Sequence, residues 1–230
     1  MSDPRRDDSM VSVPAGQVVL EGVLGLPERA AGAVLFSHGS GSGRHSPRNQ
    51  FVATALRRAG LATLLLDLLT PEEDRDHETR FDIDLLTERL GTAVRFVRGH
   101  AQTHSLPLGL FGASTGAASA LRVAAQMPGE IAAVVSRGGR PDLAGMHVLA
   151  AVRASTLLIV GGRDYGVIEL NEAARDALTH CDRHIAIVPG ATHLFEERGA
   201  LEEVARLASD WFVRNLVPGR SGTSDAPRQA

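Results

Sequence analysis

Pro107-Leu108-Gly109-Leu110-Phe111-Gly112-Ala113-Ser114-Thr115-Gly116-Ala117-Ala118-Ser119-Ala120-Leu121 passes from a short apolar run into a G-x-S-x-G turn and then into small helix formers. Strand, sharp turn, helix is the setting of a nucleophile elbow. A serine held in so tight a turn projects its hydroxyl outward, and glycines two places to either side let strand and helix approach. Gly112 and Gly116 fill those places. The five-residue pattern alone is weak evidence, so its surroundings decide its worth.

Outward from the elbow, buried strands alternate with amphipathic helices, the signature of a mainly parallel sheet covered on both faces. Before it lie Ala33-Val34-Leu35-Phe36-Ser37 and Leu61-Ala62-Thr63-Leu64-Leu65-Leu66-Asp67, and after it Ile131-Ala132-Ala133-Val134-Val135, Thr156-Leu157-Leu158-Ile159-Val160 and His184-Ile185-Ala186-Ile187-Val188. Val11-Ser12-Val13 and the run Gln17–Leu26, parted by Pro14-Ala15-Gly16, predict an opening antiparallel hairpin. Eight strands result. Ser46-Pro47 starts one helix and Gly60 closes it, and Ile83, Leu86, Leu90, Val94 and Val97 mark the face of another. Further helices are expected over 142–152, along Val167, Leu170, Ala174 and Ala177, and along Leu201, Val204, Ala208 and Trp211. The polar stretch from Thr70 to Arg80 reads as a loop.

Composition bounds the rest. The 230 residues suit one domain, taken as 10–217, with a charged leader over 1–9 and a polar, Pro/Gly-containing tail over 218–230. A net charge of -3 offers no field for nucleic acid. No signal-peptide core and no membrane-length apolar run is present, so a cytoplasmic location is expected, with no membrane partner. Cys181 stands alone, which excludes a disulfide framework and any multi-cysteine metal site.

Sheets of this kind carry their working residues at the carboxyl ends of the strands. The segments at those ends are, in chain order, His38-Gly39-Ser40-Gly41-Ser42-Gly43, then Ser114, Asp164 and His193. A serine hydroxyl needs a base to take its proton as it attacks, which His193 would supply. Asp164 would hold the imidazole in one tautomer and stabilise its cation. Asp164 also precedes a helix, where an N-cap is the ordinary role of an aspartate, and Asp142 is the alternative acid. The backbone N–H groups of Thr115 and Ser40 are the candidate oxyanion donors. Arg137 and Arg44 are candidate substrate-binding cations and Arg140 is a third, although a salt bridge or a solvated surface position explains any of them equally. His38 lacks the partners of a metal site, and the glycine loop lacks the Gly-Lys-Ser/Thr ending of a phosphate loop, so no metal and no cofactor is expected.

Four segments together, His38-Gly39-Ser40, Gly112-Ala113-Ser114-Thr115-Gly116, Gly161-Gly162-Arg163-Asp164 and Gly190-Ala191-Thr192-His193, resemble the α/β-hydrolase superfamily over nearly the whole chain, and within it the small dienelactone-hydrolase-like group. The resemblance implies an eight-stranded α/β-hydrolase fold with a minimal lid or none. It implies a hydrolase working without a cofactor on a small ester or acyl substrate, as monomer or homodimer. Dienelactone hydrolases proper use a cysteine in the elbow; Ser114 here favours a serine esterase. Gly-Ala-Ser-Thr-Gly-Ala with Ser136-Arg137-Gly138-Gly139-Arg140 is also similar to hydrolase modules fused to phosphoribosyltransferase domains, and no such domain lies in these residues. A thioesterase or acyltransferase would use the same triad, and a non-catalytic binding module would keep only the fold.

Overall fold

The computed structural model describes residues 8–217 and Gly219. The expected leader and tail lie outside the described residues, except that Asp8 and Ser9 open the first strand. Eight strands form one sheet: β1 (Asp8–Ala15), β2 (Val18–Gly25), β3 (Gly32–Ser37), β4 (Leu61–Leu66), β5 (Leu108–Ala113), β6 (Ile131–Arg137), β7 (Ser155–Gly161) and β8 (Arg183–Val188). Their order is β1-β2-β4-β3-β5-β6-β7-β8. The six strands from β4 to β8 in that order are parallel, and β1 and β2 are antiparallel. The central strands β3, β4 and β5 are buried at every position, whereas the edge strands β1 and β8 alternate or face solvent. Pro14 falls inside β1, opposite Val19, and the hairpin turns later, at Gly16 (φ +64). An edge strand tolerates a proline because one row of its amides needs no partner.

Helices α1 (Pro47–Arg58) and α7 (Ala200–Leu216) cover one face, with Phe36, Phe111, Leu56 and Phe212 in the core beneath them. α3 (Ile83–Gly99), α4 (Thr115–Gln126), α5 (Met146–Ala151) and α6 (Tyr165–Ala177) cover the other, over Leu35, Leu110, Val134 and Leu158. The helix expected over 142–152 is a 3-10 turn, Pro141–Ala144, followed by α5, broken at Gly145 (φ 92).

The segment read as a loop from Thr70 to Arg80 holds a 3-10 turn, Glu73–Arg75, and the one-turn α2 (His77–Arg80). Its polar side chains build their own caps. The Thr70 N–H donates to Glu73 (2.8 Å), the Glu73 N–H to the Thr70 hydroxyl (3.3 Å) and the Thr79 N–H to Asp76 (3.1 Å). Arg89 clamps Glu73 through two nitrogens and holds its carboxyl down at about 2. The crossings above the sheet's carboxyl edge, 67–82 and 138–154, therefore contain only short helices, and no large cap stands over Ser114 among the described residues.

Candidate active site

Ser114 is one of two described non-glycine residues with positive φ (φ 50, ψ -121). Such a backbone costs on the order of 1–3 kcal/mol and persists only where its surroundings over-determine it. They do so here. The Ser114 N–H donates to the Arg137 carbonyl (3.2 Å), and its own carbonyl accepts from Arg140 (3.0 Å) and Ala117 (3.1 Å). A Cβ on Gly112 would lie 2.5 Å from the Ala117 Cα, and one on Gly116 only 2.2 Å from the Ser37 carbonyl oxygen. The glycines flanking the serine are thus required by main-chain contact. Gly39 brings the loop after β3 against the serine, its hypothetical Cβ 3.0 Å from that of Ser114.

Asp164 ends the turn after β7, where an N-cap role is the plain alternative. Its side chain makes no cap hydrogen bond to α6 and instead meets His193 Nδ1 at 2.7 Å. Its side chain is 17% exposed and that of His193 38%. The His193 loop is fixed from both sides. Glu197 accepts from the Thr192 N–H (3.1 Å) and hydroxyl (2.7 Å), and buried Phe195 holds a left-handed φ of 55. Gly138 (φ 50) packs between the two halves of the site: a Cβ there would lie 3.4 Å from His193 Nδ1, and Gly138 follows the residue whose carbonyl receives the Ser114 N–H. The backbone of 137–138 thus lies between Ser114 and the Asp164–His193 pair, while the Ser114 hydroxyl makes no hydrogen bond to His193. With Nδ1 on the carboxylate, Nε2 is the histidine nitrogen left over.

The other sequence candidates divide. Ser40 is corrected in one respect: its N–H does not stand free but donates to the Thr115 hydroxyl (3.1 Å). Thr115 itself begins α4, in the first turn, where N–H groups have no acceptor within the helix. Arg44 is not a free cation, because its guanidinium is paired with Asp67 and its backbone N–H donates to the same carboxylate (2.6 Å). Arg140 grips Asp142 through two nitrogens (2.9 and 2.7 Å), which removes Asp142 as the alternative acid. Arg137 differs from both. It is the last residue of β6, it is 8% exposed, and its Nε and Nη1 are buried with no hydrogen-bond partner. Burial, and then the neighbouring Arg48 cation, push it down to about 10.

His38 is buried at the end of β3, with the Asn49 amide on its Nδ1 (2.7 Å). Burial holds it down at about 4, against the pull of Asp67 and with the push of Arg137. A cleft of about 330 Å³ opens beside the glycine loop, lined by Gly39–Arg44, Asp67–Pro71 and Arg80. It adjoins the elbow through Gly39 and Ser40. Among the described residues no cluster of three His, Cys, Asp or Glu side chains suits a metal ion, and no helix is long and apolar enough to cross a membrane.

Two side chains that serve the site escape the sequence patterns. Asn171, fully buried on α6, donates to the Gly139 carbonyl (3.0 Å) and so ties the helix behind Asp164 to the loop beneath Ser114. Glu197 anchors the histidine loop. Neither belongs to a motif; a buried polar residue on the apolar face of α6 is the one clue Asn171 offers.

The strand order, the strained serine after β5 and the Asp164–His193 pair are those of an α/β-hydrolase. No protein-family model matches the chain. A crystal structure of a dienelactone hydrolase from Anabaena variabilis ATCC 29413 is 52% identical, with a TM-score of 0.88, over 91% of this chain and 98% of that one. The chain belongs to the dienelactone hydrolase family of α/β-hydrolases. XC6422 from Xanthomonas campestris, described as an α/β serine hydrolase without lid, shares the fold at 20% identity, with a TM-score of 0.74 over 92% of this chain and 96% of that one. Two curated Mycobacterium tuberculosis relatives, "Putative phosphoribosyl transferase MT0597" from strain CDC 1551 / Oshkosh and "Putative phosphoribosyl transferase Rv0571c" from strain ATCC 25618 / H37Rv, are each 54% identical over 222 residues. That match takes in 96% of this chain, which spans about half the length of either relative.

Proposed function

We propose that the chain is a serine hydrolase that cleaves carboxylic esters of small molecules through an acyl-enzyme on Ser114. The observation that carries this is the 2.7 Å bond from Asp164 to His193 Nδ1, made in preference to a helix cap, across the rim from a serine with positive φ. His193 Nε2 takes the Ser114 proton as the hydroxyl attacks the ester carbonyl, and returns it to the departing alcohol. Water then enters by the same route, with His193 again as base, and frees the acid and the serine. Asp164 stabilises the imidazolium formed in each half. The tetrahedral oxygen lies on the Thr115 N–H, with the Ser40 N–H joining when the Thr115 hydroxyl turns away from it. The relative named a dienelactone hydrolase supports hydrolytic chemistry for this chain.

A fluorophosphonate probe tests the reading directly, since it forms a stable adduct only with an activated serine. Wild-type protein should label at Ser114 and hydrolyse p-nitrophenyl acetate, and Ser114→Ala should do neither. Full turnover by Ser114→Ala removes the mechanism, and an unlabelled but folded wild type makes the chain a binding module instead.

A further inference from the structure

Among the described residues three arginines are buried, and they are treated differently. Arg89 has Glu73 on two nitrogens and the Leu68 carbonyl on one (2.8 Å). Arg57 has the Thr63 and Thr54 hydroxyls on its terminal nitrogens (3.0 and 3.2 Å), and its Nε, buried without a hydrogen bond, still faces the Asp8 carboxylate (3.7 Å). Arg137 has Nε and Nη1 buried without an acceptor, and the charge that acts on it is a second cation, Arg48. A buried guanidinium with no counter-charge is strongly unfavourable, so a fold that keeps one at the rim of its active site has a use for it.

The neighbouring donors are orphaned in the same way. His38 feels the Arg137 cation and, more strongly, the Asp67 carboxylate; Asn49 donates to its Nδ1, which leaves the proton on Nε2, buried and without a partner, as is the Asn49 Oδ1. Arg48 Nε is buried and unpartnered too, while its Nη1 holds Glu196, a carboxylate 63% exposed to solvent (2.9 Å). Arg48 and Asn49 stand in the first turn of α1, whose N-cap residue Ser46 makes no capping bond. A helix N-terminus of this length adds partial positive charge and free N–H groups to a site already defined by side chains.

We propose that Arg137, Arg48, His38 and the uncapped start of α1 form an oxoanion site that receives a phosphate group of the substrate, so that the favoured esters are phosphorylated ones. The count of donors selects the anion. Nε and Nη1 lie on different edges of the guanidinium, and a carboxylate bridging one edge leaves the other bare. A phosphate monoester brings three terminal oxygens and a charge near -2 at neutral pH, enough for Arg137, for His38 Nε2 and for Arg48 once Glu196 releases it to solvent. Arg137 also lends its carbonyl to the Ser114 N–H, so an anion seated on its side chain is registered against the candidate nucleophile.

Anion binding at this site does not depend on the hydrolase reading; only its service to a substrate rests on that reading. Binding is therefore measured apart from turnover. Inorganic phosphate, acetate and chloride at equal ionic strength are titrated by calorimetry and thermal melting into the full chain, its Arg137→Met variant and its Arg48→Gln variant. Phosphate should raise the melting temperature and bind at least about tenfold tighter than acetate. Each variant should lose about tenfold or more of that affinity, and Arg137→Met should melt no lower than wild type in phosphate-free buffer, because it removes an unpaired buried charge. Acetate matching phosphate, phosphate acting no better than chloride, or a melting temperature of Arg137→Met well below wild type overturns the proposal; if that variant does not fold, an unchanged phosphate response in Arg48→Gln does so. Fluorophosphonate labelling of the same wild-type sample separates the two ideas. A labelled protein blind to phosphate retains the hydrolase and loses the anion site, and a phosphate-binding protein that stays unlabelled does the reverse.

Discussion

His193 and His38 both follow strands at the carboxyl edge of the sheet, and their partners make them different reagents. His193 rests on a carboxylate and is partly open to solvent, so a positive charge on its ring has somewhere to be neutralised. His38 rests on an amide inside the protein and is held neutral to about pH 4. The same division separates the two aspartates weighed for the acid role: Asp142 is consumed by Arg140 two residues away, and Asp164 reaches across 29 positions to the histidine. Residue type is shared within each pair. What distinguishes the members is whether the nearest complementary group is local or is delivered by the fold.

Substitutions can break that comparison. The largest effect belongs to Asp164→Asn, which should lower kcat for ester hydrolysis by about 10⁴-fold while leaving the fold intact, because the amide presents the wrong tautomer of His193. If Asp142→Asn did this instead, the assignment would be reversed. Next comes pH. The His38 pKa lies below its unfolded value, so its contribution is fully present above about pH 6.5 and is lost as the pH falls toward about 4. Unfolding in denaturant should show wild type losing on the order of 3 kcal/mol more than His38→Gln across that window.

Asn171→Ala removes the tie between α6 and the loop under Ser114, leaving the buried Gly139 carbonyl without its donor. It should cost about 1–3 kcal/mol of stability in the same assay. Smallest is Asp142→Asn, a partly exposed local pair, expected to change stability by about 0.2–1 kcal/mol and ester turnover by less than about threefold. A large kcat loss there would erase the contrast between local and delivered partners.

The fold is legible in the sequence because its cause is local and repetitive. Six-residue apolar runs at β3, β4 and β5, each ended by glycine, serine or aspartate, can be read without knowing what they pair with. The elbow is legible for a similar reason: glycines at 112 and 116 answer to contacts made within one strand–turn–helix unit and the adjacent end of β3. The arginines are not. Arg44, Arg137 and Arg140 look alike in sequence, since each follows or ends a strand beside glycines; Arg140 has Asp142 two residues on, but only three-dimensional placement gives Arg44 its Asp67 and leaves Arg137 with no carboxylate. The state of the Ser40 amide is hidden because its acceptor, the Thr115 hydroxyl, lies 75 positions away. The caps in the charged run after Thr70 are hidden because polar residues signal a loop and a short capped helix equally.

The short crossings at 67–82 and 138–154 have a consequence for how an acyl group carried on Ser114 would end its life. A deep, roofed chamber can starve an intermediate of solvent until a chosen acceptor arrives. Among the described residues this rim carries no such roof, and bulk water is the acceptor present in greatest excess. Transfer to any other alcohol or thiol would require that acceptor to be docked in the cleft beside the glycine loop before deacylation begins.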